Sequence, residues 1–316
     1  MTVSPEAPLA PVAGPERGRR RAMSRKDPLA GKQMRMSYLF VFGYVLFLAA
    51  FGVAPTLYAL YLSVHSTSGR FVWFRNFAHV RHDFRFMPAV IHVGSFLVIW
   101  LVALLILVTV LAIIVHALSQ RWLSPTVRFI YYIPGAVAGA SSVVLWLFVL
   151  NPTVSPVSGV LHAFGLKTFV QTISPAHLPV IFAIIAFWSG AGGWIVVMYG
   201  ALNSIPTEIM EAARVDGAGA VRTAWNIQLP MMRKWISYMA VISLAAGTQL
   251  FVEPTVLSQA SQGVVPIDYS LNQLAYQYAF KQTDNNGAAA IAVMLLVVCL
   301  VLSVFFVIRG GLFERD

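Results

Sequence analysis

Charge is scarce in this sequence, and acid is scarcer than base. Charged residues make up 11% of the 316, with 12 Asp and Glu against 22 Lys and Arg. A water-soluble domain of this length needs a polar shell that such a composition cannot supply over its whole surface. There is one cysteine, Cys299, inside an apolar run, so an internal disulfide is excluded. No G-x-x-x-x-G-K-[ST] phosphate cradle occurs, so any ATP must be bound and hydrolysed by another chain, and no cofactor is expected on this one. Gly217-Ala218-Gly219 has no strand before it that would make it a dinucleotide loop. His79 and His82 stand on an Arg-rich loop without the further ligands of a metal site. No serine or cysteine has a base and a carboxylate placed to activate it, so the chain does not read as an enzyme. The formal charge of +10 sits at the ends of apolar segments, not in a stripe interleaved with stacking aromatics. That placement argues against nucleic acid and for orientation in a membrane.

What is present is apolar surface: 58% of residues are hydrophobic and the mean hydropathy is +0.74. Six segments, near 38–63, 93–118, 127–150, 178–202, 236–257 and 287–309, approach or exceed the roughly 20 residues that cross a hydrocarbon core. Lipid offers no partners to open backbone groups, so helices are expected, and the fold class is all-α and polytopic. Pro55 and Pro134 are expected to kink spans one and three. Residues 1–36 carry Arg17, Arg19, Arg20, Arg21, Arg25, Lys26, Lys32 and Arg35 among Pro, Gly and Ala. They lack a signal peptide's apolar core and read as a disordered basic tail in contact with anionic lipid. Most Lys and Arg then fall on the cytoplasmic side with both termini inside, although Arg70, Arg75, Arg81 and Arg85 in the first external loop oppose that bias.

With that orientation the loop at about 203–235 is cytoplasmic. Ser204 is placed to cap a helix that begins with Pro206 in its first turn and runs to about 215. Glu208 and Glu211 lie near its positive end. Thr207, Glu211 and Arg214 share one face, and Ile209, Ala212 and Ala213 share another. Asp216-Gly217-Ala218-Gly219 breaks the helix, and a second short helix, about 219–228, is expected to stop before Pro230.

Here the chain resembles a known family. Glu211-Ala212-Ala213, three residues, Gly217, nine residues, Ile227, one residue, Leu229-Pro230 matches in full the EAA signature of binding-protein-dependent ABC importer permeases. The resemblance implies a type I ABC importer permease fold spanning 37–316, in a bacterial plasma membrane. It implies a coupling helix that docks on a separate ATP-hydrolysing subunit. Glu211, Ala212, Ala213 and Gly217 would lie in the docking surface, with Arg214 and Asp216 as ion-pair partners for it and Ile227, Leu229 and Pro230 closing the motif. Implied partners are a second permease, two ATPase copies, an external solute-binding protein and a sugar-like solute. Phe71-Val72-Trp73-Phe74-Arg75-Asn76-Phe77, Asp83, Phe86, Phe251 through Pro254, Tyr276 through Phe280 and Gly287 through Ala290 resemble the carbohydrate-importer permeases. Within that group they resemble the first permease of glycerol-phosphate and maltose-type systems. His92-Val93 and Ser261-Gln262-Gly263 depart from its pattern and leave the solute open, with amino acids, polyamines or phosphate as the rival cargo. An ion-driven secondary carrier is the rival from another class; it predicts internal hydropathy repeats, and none is clear.

Polar groups inside a span are costly and invite a functional question. Glu253 is the only acid in any span, with Gln249 one turn earlier on the same expected helical face. It is either a packed or interfacial acid or a group lining a translocation path. Span four carries Trp188-Ser189-Gly190-Ala191-Gly192-Gly193-Trp194. Its small residues favour close helix packing, and the alternative is a gap in which Trp188 and Trp194 stack on sugar rings.

Overall fold

The computed structural model describes Tyr38 and residues 40–117, 123–137 and 139–311. The basic tail, 1–36, lies outside the described residues. The chain divides into two compact units, Met1–Pro55 and Thr56–Asp316. The described part of the first is helical, and none of its residues is buried. Among the described residues the only β pairing is a bridge between His65 and Phe71.

Among the described residues four helices are long and apolar enough to cross a membrane: α1 (Phe40–Val64), α3 (Phe86–Ala117), α8 (Leu178–Asn203) and α14 (Asn285–Gly310). Between α1 and α3 lies α2 (Arg75–Arg81), and before α14 lies α13 (Leu271–Tyr276). Two further spans are bent pairs. The first joins α4 (Leu123–Ala136) to α5 (Ala140–Leu150), and its apolar segments, Thr126–Ala136 and Ala140–Leu150, meet at 100°. The second, after the short helices α6 (Ser158–Ala163) and α7 (Phe169–Thr172), the long α8 and the loop helices α9 (Thr207–Val215) and α10 (Ala220–Thr223), joins α11 (Arg233–Gly247) to α12 (Val252–Ala260) at 41°. Each pair counted as one span makes six. The expected single helices at 127–150 and 236–257 are therefore corrected to broken ones. Proline explains much of this. In a continuous helix Pro254 could offer no N–H to the Leu250 carbonyl, and its ring would crowd that group; the chain instead leaves the helix at Thr248 and re-enters after Phe251. Pro134 and Gly139, at φ +68, flank the other break.

Pro55 and Pro230 are handled differently. A π-turn ends two residues before each, at Ala49–Val53 and Ala224–Gln228. The wide turn shifts the backbone bonding to i→i−5, Ala54 N–H to the Ala49 carbonyl and Leu229 N–H to Ala224, and the helix runs on through the proline.

α3 explains why the bundle belongs in lipid. Val93, Phe96, Trp100, Leu104, Val108 and Ala112 form a buried stripe at helical spacing, while Val98, Val102 and Ile106 on its outer side are just as apolar and are exposed. A helix that is hydrophobic all round fits a membrane, not a water-facing surface. The stripe packs on α8 within the main core, joined by Phe182, Ile185, Ile195 and Met198. In lipid that packing rests on van der Waals fit, not on expulsion of water. Fit is tightest where α8 meets α4: an added Cβ at Gly192 would lie 1.9 Å from the Tyr131 carbonyl oxygen.

Candidate functional site

The loop between α8 and α11 is fastened at both ends. Ile205 and Met232 are buried, and Gln228 is buried beside the second fastening. Ser204 does not cap the next helix as expected. Its hydroxyl donates back to the Ala201 carbonyl at 2.7 Å, closing α8, and Pro206 stands at the start of α9 (Thr207–Val215). Ala213 is the buried residue of α9, and Met210, three residues earlier, packs against the main core. The expected apolar face of Ile209, Ala212 and Ala213 is corrected accordingly: Ile209 and Ala212 are exposed, because the bundle takes the Met210–Ala213 edge. Glu208, Glu211, Ala212 and Arg214 point to solvent, and none of the ion pairs among the described residues involves Glu211, Arg214 or Asp216.

The turn after α9 follows from one residue. Gly217, at φ +73, lets its own N–H reach the Arg214 carbonyl at 3.1 Å and the Ala218 N–H reach Ala213 at 2.9 Å. That is a Schellman closure, which needs a left-handed residue at this position. Gly219, at φ −69, is not strained and starts α10 (Ala220–Thr223). The second helix does not stop before Pro230; it continues through the π-turn and a short turn at Leu229–Met231. The result is a bent pair of helices held by its buried side and presenting Val215, Val221 and Trp225 at 87, 83 and 73% exposure. Apolar side chains exposed to this degree beside free charges suit a protein surface that docks.

At the opposite end of the bundle a second constellation gathers most of the loop residues that carry the family resemblance. Asn76 Nδ2 donates to the carbonyls of Ser63 and His65 at 2.9 and 2.8 Å, and Asn286 Nδ2 donates to those of Leu62 and His65 at 3.0 and 2.7 Å. Two amides thus satisfy the open carbonyls at the end of α1. Asp83 receives Arg85 Nη2 at 2.6 Å and the Tyr278 hydroxyl at 2.7 Å, and Arg85 also lies 4.0 Å from Asp268. Arg85 is the chief reason that the Asp83 carboxyl is held far below the usual carboxylate range, with Tyr278 adding to it. Burial, helped by the neighbouring Asp83, holds the Tyr278 hydroxyl well above its ordinary value, so it stays a donor. Phe86, Leu274, Tyr278, Ala290 and Ile291 close a small core beneath. Gly287 belongs here by necessity: a Cβ would lie 2.5 Å from both the Tyr278 ring and Asp284. The knot joins the α1–α3 connection to the segment before α14.

Asp83→Asn removes a charge-assisted pair that is only 10–23% exposed and should cost about 2 kcal/mol. The sign with pH follows from the lowered carboxyl. The contribution is complete above the unfolded carboxylate pKa, near neutrality included, and is lost as pH falls through the lower folded value. Thermal unfolding of wild type and Asp83→Asn at neutral pH and at successively lower pH measures this; the gap between them should narrow only in strong acid.

The residues considered for a translocation path are not brought together as one site. Trp188 packs edge-on to Trp146 at 5.9 Å, and Trp194 edge-on to Tyr238 at 5.8 Å, and both tryptophans are half-buried. Gly192 serves close packing, as its contact with Tyr131 requires. Gln249 falls in the break between α11 and α12 and Glu253 in the first turn after it. Their expected common face is corrected, since no continuous helix connects them. Asn286, whose signal was an amide at the head of an apolar run, went unread in the sequence; so did the pairing of Arg85 with Asp83, for which two adjacent loop charges gave no geometric cue.

A polytopic helical bundle with broken spans and a fastened, solvent-facing helix pair between spans four and five is the architecture of a multi-pass membrane protein. Residues 109–309 match the family described as binding-protein-dependent transport system inner membrane component. The chain belongs to that family and is a multi-pass membrane protein. It is 30% identical over 247 residues to the multiple sugar-binding transport system permease protein MsmF of Streptococcus mutans, covering 77% of this chain and 82% of that one. It is 29% identical over 276 residues to the sn-glycerol-3-phosphate transport system permease protein UgpA of Escherichia coli, covering 85% and 92%. Among solved structures it superposes on a chain of a bacterial ABC transporter that imports the acidic polysaccharide alginate. The TM-score there is 0.75 at 19% identity, with 92% of this chain and all of that one covered.

Proposed function

We propose that this chain is a translocation subunit of an ATP-driven importer of a sugar or sugar-like solute, powered by a separate ATPase through the 203–235 loop. The observation that carries the coupling role is the geometry of α9 and its turn. Met210 and Ala213 fix the helix to the bundle, while Glu211, Ala212, Arg214 and Asp216 face outward. A helix held this way moves as a rigid body with the spans, so a partner that shifts it also shifts them. Gly217 holds the turn, and Ile227, Leu229 and Pro230 carry the chain back to α11. A second permease, two ATPase copies and an external solute-binding protein complete the assembly, with both termini and the loop on the cytoplasmic side of a bacterial plasma membrane. The solute class is supported by the sugar and sugar-phosphate systems among the relatives. ATP binds to the partner and none to this chain. Gln249 and Glu253, at the bend in span five, remain path-lining candidates, because a broken helix frees backbone groups that a polar solute can use.

Proteoliposomes containing the purified subunits, with binding protein and labelled sugar, test the reading. Uptake should require ATP and the ATPase subunit, and Ala212→Cys should crosslink to a cysteine on that subunit. Uptake by this chain alone under an ion gradient, or labelling of Ala212→Cys only from outside intact cells, would sink it.

A further inference from the structure

At the end of the bundle opposite the candidate coupling loop, a cavity of about 570 Å³ opens beside the end of α1 and the head of α14. It lies within the roughly 300–1,000 Å³ of small-molecule sites. Tyr58, Tyr61, Ser66, Thr67, Asn285 and Asn286 line it, and no charged side chain does. The two tyrosine rings, one helical turn apart, are within 13° of parallel with centroids 6.4 Å apart. His65 backs Tyr61 at 3.9 Å and is tied by its Nδ1 to the Tyr61 carbonyl at 2.7 Å, so the platform is braced from one side. Asn286 is only 5% exposed. Its Nδ2 is committed to the Leu62 and His65 carbonyls, while its Oδ1 accepts no hydrogen bond among the described residues. The Asn285 amide and the Thr67 hydroxyl are likewise unengaged.

We propose that this cavity, at the end of α1 and the head of α14, is a saccharide subsite selective for a neutral sugar ring, distinct from any site deeper in the bundle. The inference rests on the importer reading above and narrows its solute. A pyranose has an apolar C–H face, which an aromatic platform accepts, and a rim of hydroxyls, which amide and hydroxyl groups pair with. Asn286 Oδ1 accepts from one hydroxyl, Asn285 both donates and accepts, and Thr67 completes the set. A phosphate or carboxylate would enter without a cation to meet it and would lose its hydration uncompensated. The cavity therefore favours neutral sugars over sugar phosphates or uronic acids.

The test uses the assembled importer in lipid nanodiscs and saturation-transfer NMR with maltotriose, raffinose and melibiose as neutral probes and sn-glycerol 3-phosphate as the anionic one. At least one neutral probe should bind, and Tyr61→Ala should weaken it about tenfold, the consequence of one lost stacking face. Asn285→Ala should weaken it by a smaller factor, and Tyr61→Phe, which keeps the face, should restore most of it. Glycerol phosphate should show no transfer that depends on Tyr61. Wild-type binding and wild-type KM for uptake in both alanine variants would overturn the subsite while leaving the importer reading intact. So would a Thr67→Cys side chain that the partner subunits shield from a membrane-impermeant maleimide. Absence of any ATP-driven saccharide uptake would instead remove the importer reading, and the NMR variants would then decide the cavity alone.

Discussion

Gly192→Ala is expected to destabilise the protein by about 3 kcal/mol, although it adds one methyl group in a helix. The new Cβ would meet the Tyr131 carbonyl oxygen at 1.9 Å, its carbon at 2.6 Å and the Tyr132 Cα at 2.9 Å. These are backbone atoms and cannot rotate away, so α8 and α4 must separate and forfeit the contacts along their shared face. Gly192→Val should prevent accumulation of folded protein. The internal control is next door: Gly193 has nothing within 4 Å of its Cβ position, and Gly193→Ala should be neutral or stabilising by up to about 1 kcal/mol, since alanine is the better helix former. Thermal unfolding in detergent, followed by tryptophan fluorescence, compares wild type with the two alanine variants, and membrane abundance reads Gly192→Val. Equal midpoints for the two alanine variants would show that α8 and α4 are not in backbone contact.

Gly217→Asp is expected to reduce ATP-driven uptake more than about tenfold while leaving membrane abundance near wild type, a loss of more than about 1.4 kcal/mol in coupling. No neighbour lies within 4 Å of its Cβ, so bulk is not the cause. The cost comes from φ +73, which disfavours side chains by roughly 1–2 kcal/mol, and from a second carboxylate beside Asp216 on the proposed docking face. Gly217→Ala, which carries the backbone cost without a charge, separates the two when set beside Gly217→Asn, which tolerates this backbone and adds no charge; Gly217→Asn should retain most of the uptake. Gly219→Ala, at an ordinary φ with open space around it, should transport normally. ATP hydrolysis and uptake measured together in proteoliposomes give the coupling ratio directly. Wild-type uptake by Gly217→Asp would remove the coupling assignment.

The candidate coupling loop was legible in outline because its determinants are local. A glycine that must take a left-handed backbone and a proline that lacks a donor act within a few residues, and the spacing of Glu211-Ala212-Ala213, Gly217 and Leu229-Pro230 encodes them. What was misread there was which edge faces the bundle: Met210, not Ile209, goes inward, and periodicity in nine residues cannot distinguish neighbouring faces. The spans were legible for a related reason, since a run of apolar residues has a single stable solution in lipid. The break at 248–251 was missed because Pro254 permits either a kink or an interruption, and the packing of its neighbours selects between them.

The amino-acid order alone determined that this chain crosses a membrane on helices and that its fourth connection is a bent helix pair. Each of these depends on chemistry within one turn or one run. Only the folded bundle decided that Asn76 and Asn286 meet on the same carbonyls, that Tyr278 reaches Asp83 across 195 positions, and that one glycine among several in α8 cannot be replaced. Such pairings depend on which helix faces lie together in space, and nothing in the local pattern of either partner specifies the other.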